Sequence, residues 1–108
     1  MIIFKPEHVE MINNGTKTQT RRVWKRRRAK PGAVHQVKTK IYSKTYECKI
    51  KINAVRMERL GDITPRDAFK EGSYRLDEDK KRWIDINGEW DPDLMVHVID
   101  FELISEED

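Results

Sequence analysis

Hydrophobic side chains recur along this chain with two different periods, and the change from one to the other lays out the expected elements. The clearest segment is TYECKIKINAV, residues 45–55. Tyr46, Cys48, Ile50, Ile52 and Ala54 alternate with Glu47, Lys49, Lys51 and Asn53, a period of two that predicts a strand with one buried and one wet face. LMVHVIDFEL, residues 94–103, reads as a second strand, apolar enough to pair centrally in a sheet. Shorter extended pieces are IIF at 2–4 and AVHQVKTKIY at 33–42, the latter as one strand or two broken by a bulge. Helical punctuation falls between them. Pro6 suits a first helical position, Val9 and Ile12 lie three apart, and Gly15 is a stop. Thr64, Pro65 and Asp67 have the spacing of a capping box, with Gly72 as the stop of that helix. Another helix is expected over roughly 77–85, turning Trp83 inward and closed by the turn Asn87–Gly88. KTQTRRVWKRRRAKPG, residues 17–32, holds neither period for long and yields no element before its Pro31–Gly32 turn. The expected order is β–α–β–β–α–α–β. It describes a small α+β domain, a partly closed barrel rather than a layered parallel sheet.

A chain of 108 residues predicts one domain over 1–108, with the acidic stretch 104–108 fraying at its end. The single cysteine, Cys48, excludes an internal disulfide and a multi-cysteine zinc site, and reads as a small buried hydrophobe. His8, His35 and His97 lack metal-ligand spacing, so no metal and no cofactor is expected. No apolar run approaches a membrane span and no signal-like region follows Met1, which predicts a cytoplasmic protein without a membrane partner. Oligomeric state is left open.

Charge sharpens the picture. Residues 1–45 hold twelve Lys or Arg against two Glu, whereas residues 46–108 hold ten basic and seventeen acidic side chains. Such asymmetry predicts one strongly positive region that attracts polyanions. Its densest part is Arg21 to Lys30, with seven basic residues among ten, interrupted by Val23, Trp24 and Ala29. Arg21, Arg22, Arg26, Arg27 and Arg28 are candidates for phosphate contacts, and Trp24 either stacks on an unpaired base or anchors the barrel. A solvated basic face is the plain alternative. Arg22, in turn, either faces a ligand or braces the fold through a salt bridge.

Just ahead of that run, NNGTKTQTRR (13–22) places Gly15, Lys17, Thr20 and Arg22 in a particular spacing. It resembles the G-x-K-x-x-E-x-R signature of the ASCH domain family, whose barrel is similar to that of the PUA RNA-binding domains; Thr20 stands where Glu is usual. RLGDITPRDAFKEG, residues 59–72, is similar to a second block of the family, and DFEL at 100–103 resembles its final strand. The resemblance implies a small PUA-like mixed β-barrel with short flanking helices and a cleft facing RNA or a nucleotide. Lys17, Thr20 and Glu71 also look like the set carried by the small N4-acetylcytidine amidohydrolases, which implies a metal-independent catalytic trio. A threonine hydroxyl needs an adjacent base to act as a nucleophile. Lys17 serves only if burial or neighbouring cations keep it neutral, and Glu71 would then carry a proton to the leaving amine. RNA or nucleotide binding is the preferred reading because it uses both the basic run and the cleft. Hydrolysis of a modified nucleoside is the alternative, and docking of an acidic partner is a third.

Overall fold

The computed structural model describes residues 1–105. The elements are β1 (Ile2–Ile3), α1 (Pro6–Asn13), β2 (Gln19–Arg22), β3 (Val34–Lys38), β4 (Cys48–Arg59), a 3-10 turn (Leu60–Asp62), α2 (Pro65–Gly72), α3 (Leu76–Asn87) and β5 (Met95–Ile104). One five-stranded sheet, in the order β1-β3-β4-β5-β2, curls into a half-barrel. β1 pairs with β3 in parallel, and the other neighbours are antiparallel. The expected mixed α+β half-barrel with short helices is therefore the fold observed. β5 lies between β4 and β2, in the central position its apolar pattern predicts. Of the acidic end, Ile104 belongs to β5, and 106–108 lie outside the described residues.

The main core packs Ile2 and Phe4 from the start of the chain, Val9 and Ile12 from α1, and Ile50 and Ile52 from β4. A smaller core of Leu60, Val96 and Val98 is covered by Trp83, Trp90 and Leu94, so both tryptophans of the acidic region pack inward. Alternation on β4 holds for Cys48, Ile50 and Ile52, which are buried. It then changes phase. A bulge between Ile52 and Ala54 adds one residue to this strand, so Ala54, expected inside, is exposed while Val55 packs against the core.

Helix α2 starts on the expected reciprocal bonds: Asp67 N–H donates to Thr64 Oγ1 (3.1 Å) and Thr64 N–H to Asp67 Oδ2 (3.0 Å). Its stop differs from expectation. Gly72 is still helical, and Ser73 adopts the left-handed conformation (φ 62°). Gly72 is small for packing: a Cβ there would lie 2.7 Å from the Tyr74 ring and 2.9 Å from Met11 Sδ.

β2 has no signal in the hydrophobic pattern. Four residues, Gln-Thr-Arg-Arg, carry no apolar alternation and become a strand by pairing with β5, Gln19 opposite Asp100 through Arg22 opposite His97. The edge strands β1 and β2 are joined by a side chain, with Arg22 Nη2 donating to the Ile3 carbonyl at 2.8 Å.

Candidate functional site

A cavity of about 360 Å³ opens beside β2, within the range of small-ligand pockets, roughly 300–1,000 Å³. Lys17, Thr20, Arg21, Arg22 and Trp24 line it from β2 and its flanks, and Glu71 lines it from the last turn of α2. Six of the nine residues singled out from the sequence therefore meet in one hollow. The other three lie elsewhere. Arg26, Arg27 and Arg28 are exposed; Arg27 and Arg28 border a second, shallower groove with Lys30 and His35, and Arg26 lines neither.

Lys17 and Glu71 form the floor, 2 % and 3 % exposed. The ammonium donates to the Gln19 carbonyl (2.9 Å), the Glu71 carbonyl (2.9 Å) and Glu71 Oε2 (3.0 Å). Three acceptors match its three N–H bonds. Burial pushes the Lys17 pKa down, the Glu71 carboxylate opposes that shift, and Arg82 and Arg22 add to it.

Arg21 is held by carboxylates from two elements. Its guanidinium meets Glu58 (2.9 Å), Glu71 (3.0 Å) and Asp67 (3.2 Å), and it also donates to Gln19 Oε1 (2.6 Å). Burial works against its charge, but Glu58, Glu71 and Asp67 outweigh it and raise the pKa. Arg21, expected at the ligand, borders the cavity with its guanidinium engaged by these carboxylates. Salt-bridge bracing, one of the two alternatives open for Arg22, is made here by Arg21.

Arg22 is placed differently. Among the described residues it has no carboxylate within ion-pair distance. Nε donates to Thr20 Oγ1 (3.1 Å), Nη2 reaches Ile3, and the guanidinium lies 4.6 Å from the centre of the Phe4 ring. Its Nη1 has no partner among the described residues. Trp24, half-buried, packs on the main core and against His97 at 5.4 Å, so the anchoring role is filled while it still borders the cavity.

Three cavity residues have no sequence signal that marks them. His8 comes from α1, Asp79 and Arg82 from α3. Arg82 Nη2 donates to Asp79 Oδ1 at 2.9 Å and lies 3.7 Å from Glu71 Oε2, and its guanidinium stacks on the Tyr74 ring at 4.7 Å. Burial, with Lys17 and Arg82 nearby, lowers the His8 pKa from 6.5 to about 3. Its Nε2 lies 3.3 Å from Arg82 Nη1 and 3.4 Å from the Tyr74 hydroxyl. Since an arginine only donates, His8 is neutral with its lone pair at Nε2 and its proton at Nδ1. Burial and the Glu71 charge raise the Asp79 pKa, against the pull of Arg82.

The lining thus carries five cations, Lys5, Lys17, Arg21, Arg22 and Arg82, against the carboxylates of Glu71 and Asp79. A hollow so lined favours an anion or a ligand rich in acceptors. Among the described residues, no group of three or more His, Cys, Asp or Glu side chains is placed to hold a metal ion. No helix is long and apolar enough to cross a membrane, again among the described residues.

A curled mixed half-barrel with a charged cavity at its seam places the chain in a known class. The ASCH domain family model matches residues 1–105, and the chain belongs to that family. ASCH domains are proposed to bind RNA. Three solved structures share the fold. The ASCH domain from Lactobacillus crispatus JV V101 superposes with a TM-score of 0.71 at 16% identity, covering 90% of this chain and 70% of that one. Protein EF3133 from Enterococcus faecalis V583 gives 0.65 at 14% identity, with 96% and 82% covered. The hypothetical protein PH0355 gives 0.70 at 22% identity, with 94% of each chain covered. No curated protein matches the sequence.

Proposed function

We propose that this ASCH domain binds single-stranded RNA or a nucleotide, admitting one nucleotide to the cavity while Arg26, Arg27 and Arg28 follow the phosphates outside. One observation carries the reading. Thr20 to Trp24 line the hollow, and the next residues, Lys25 to Arg28, continue from it as exposed cations. A single segment therefore joins an enclosed positive site to an open basic track. Trp24 and Trp83 border the cavity and offer planar faces for a base. Arg22, unmatched by a carboxylate, offers a donor to a phosphate or a carbonyl oxygen. The test is titration of a labelled single-stranded RNA at increasing salt. Affinity is expected to fall on a log–log plot by about 0.7 per phosphate contact, and replacing Arg26, Arg27 and Arg28 by alanine flattens that slope. Salt-insensitive binding, or none at low salt, overturns the reading.

A second reading, hydrolysis of a modified nucleoside such as N4-acetylcytidine, is favoured by Lys17, Thr20 and Glu71 lining the same cavity. In this reading the Thr20 hydroxyl attacks the acetyl carbonyl, the Lys17–Glu71 pair takes its proton and returns it to the leaving amine, and water frees acetate. Lys17 must first release a proton, because all its N–H bonds are engaged; burial and the neighbouring arginines favour that loss. Incubation with N4-acetylcytidine, followed by chromatography, is expected to release cytidine, and Thr20→Ala to abolish release. Intact substrate after prolonged incubation removes the reading.

A further inference from the structure

Away from the cavity, the connection between β3 and β4 presents two apolar side chains to solvent. Ile41 is 58 % exposed and Tyr42 is 93 % exposed. They occupy the centre of a tight turn. Ser43 N–H donates to the Lys40 carbonyl (3.1 Å), Ser43 Oγ to the Thr45 carbonyl (2.8 Å) and Lys38 Nζ to the Ser43 carbonyl (2.8 Å). Glu47 N–H closes the base of the loop on the Val37 carbonyl at 2.8 Å. The tip is thus pinned by its own bonds, and Tyr42 is presented on a fixed platform.

Turn chemistry does not ask for these residues. Central turn positions favour Gly, Pro, Asn, Asp and Ser, each for a conformational reason. Ile41 and Tyr42 provide none of those reasons, and they bury little of their surface. Where a local rule is broken without a packing gain, function is the usual cause. The loop's own charges are all positive: Lys38, Lys40 and Lys44 flank the tip in sequence, and no acidic residue lies between Val37 and Tyr46. The base of the loop lies beside the site. Lys38 pairs with Ile3, and Ile3 both borders the cavity and accepts from Arg22. One strand therefore separates the start of this loop from the cavity wall.

An exposed aromatic face with lysines two positions away on either side in sequence complements a polyanion with stackable planar groups. We infer that this tip is a second RNA contact, with Tyr42 stacked on an unpaired base and Lys40 and Lys44 meeting the flanking phosphates. The inference rests on the RNA-binding reading above and extends its footprint across β1. Two exposed side chains are too small an apolar area for firm lipid insertion, so RNA is the occupant the charges favour.

The test uses the full chain, a labelled single-stranded RNA of about fifteen nucleotides, near the upper end of single-strand site sizes, and anionic lipid vesicles. Tyr42→Ala is expected to weaken RNA binding about fivefold to a hundredfold, the range for loss of one base–aromatic stack. Tyr42→Trp is expected to retain wild-type affinity, and both variants to melt at the wild-type temperature. Undiminished RNA binding by Tyr42→Ala, beside a wild-type chain that binds, overturns the tip contact and leaves the cavity reading standing. Loss of vesicle binding in Tyr42→Ala with RNA binding intact also overturns it, in favour of a lipid surface. A wild-type chain that binds no RNA at low salt overturns both readings together.

Discussion

Lys17 and Arg21 on one side, and Arg26 to Arg28 on the other, are the same chemistry a short way apart in one stretch of chain, yet the fold treats them in opposite ways. The first pair is buried and surrounded by acceptors: Lys17 by two carbonyls and Glu71, Arg21 by three carboxylates. The second group is exposed. A cation in the interior is tolerated only with its partners, so each such contact is part of the architecture. A cation at the surface keeps its water and contributes little to folding, which leaves it available to a ligand. Arg22 stands between the two groups, enclosed but without a carboxylate partner. The contrast separates basic residues that hold the domain together from those left open to solvent.

The largest effect is expected on the buried side. Glu71→Ala removes a carboxylate shared by Lys17 and Arg21 and should cost about 3–5 kcal/mol, the range for breaking a buried pair, as read from urea unfolding. A loss under about 1 kcal/mol, typical of an exposed pair, would erase the contrast. Acid comes next. The folded pKa of His8, about 3, lies below its ordinary 6.5, so the unfolded chain takes up the proton first. The stability His8 contributes is complete above pH 6.5 and is lost as the pH falls from there towards 3. Unfolding midpoints should drop across that window, and His8→Gln should flatten the drop; an unchanged profile in His8→Gln would assign it to other groups. A smaller effect is expected at the start of α2. Thr64→Ala removes the cap whose Asp67 partner also faces Arg21, at a cost of about 1 kcal/mol, measured in the same way. At the foot of the scale, replacing Arg26, Arg27 and Arg28 by alanine should change stability by no more than about 0.5 kcal/mol, while RNA affinity and its salt dependence fall. Unfolding of that variant would show that the run is structural after all.

Much of the scaffold is legible in the sequence because its signals are local. The Thr64–Asp67 box, the alternation from Cys48 to Ile52 and the turn at Gly88 each depend on residues a few positions apart, and each is observed. β2 is not legible for the opposite reason. Arg21 is buried only because Glu58, Asp67 and Glu71, all distant in the chain, converge on it. No window around Gln-Thr-Arg-Arg contains that information. The same holds for Asp79 and Arg82: helix α3 is charged on several sides, and its sequence does not say which pair turns towards the cavity. Ala54 reads as buried because nothing in the alternation marks the extra residue of the bulge. Lys17, Thr20 and Glu71 stand out only through family resemblance, and their common position on one cavity is visible only in three dimensions.

A barrel wall is ordinarily continuous because each strand's amides are satisfied by the next. Here the last gap, between β1 and β2, is spanned by one guanidinium resting on the Ile3 carbonyl. The staves are therefore held shut at that point by a latch that also borders the chamber. A guest oxygen met by the unpartnered Nη1 leaves that latch closed, whereas one that draws Nη2 away strips the Ile3 carbonyl of its donor.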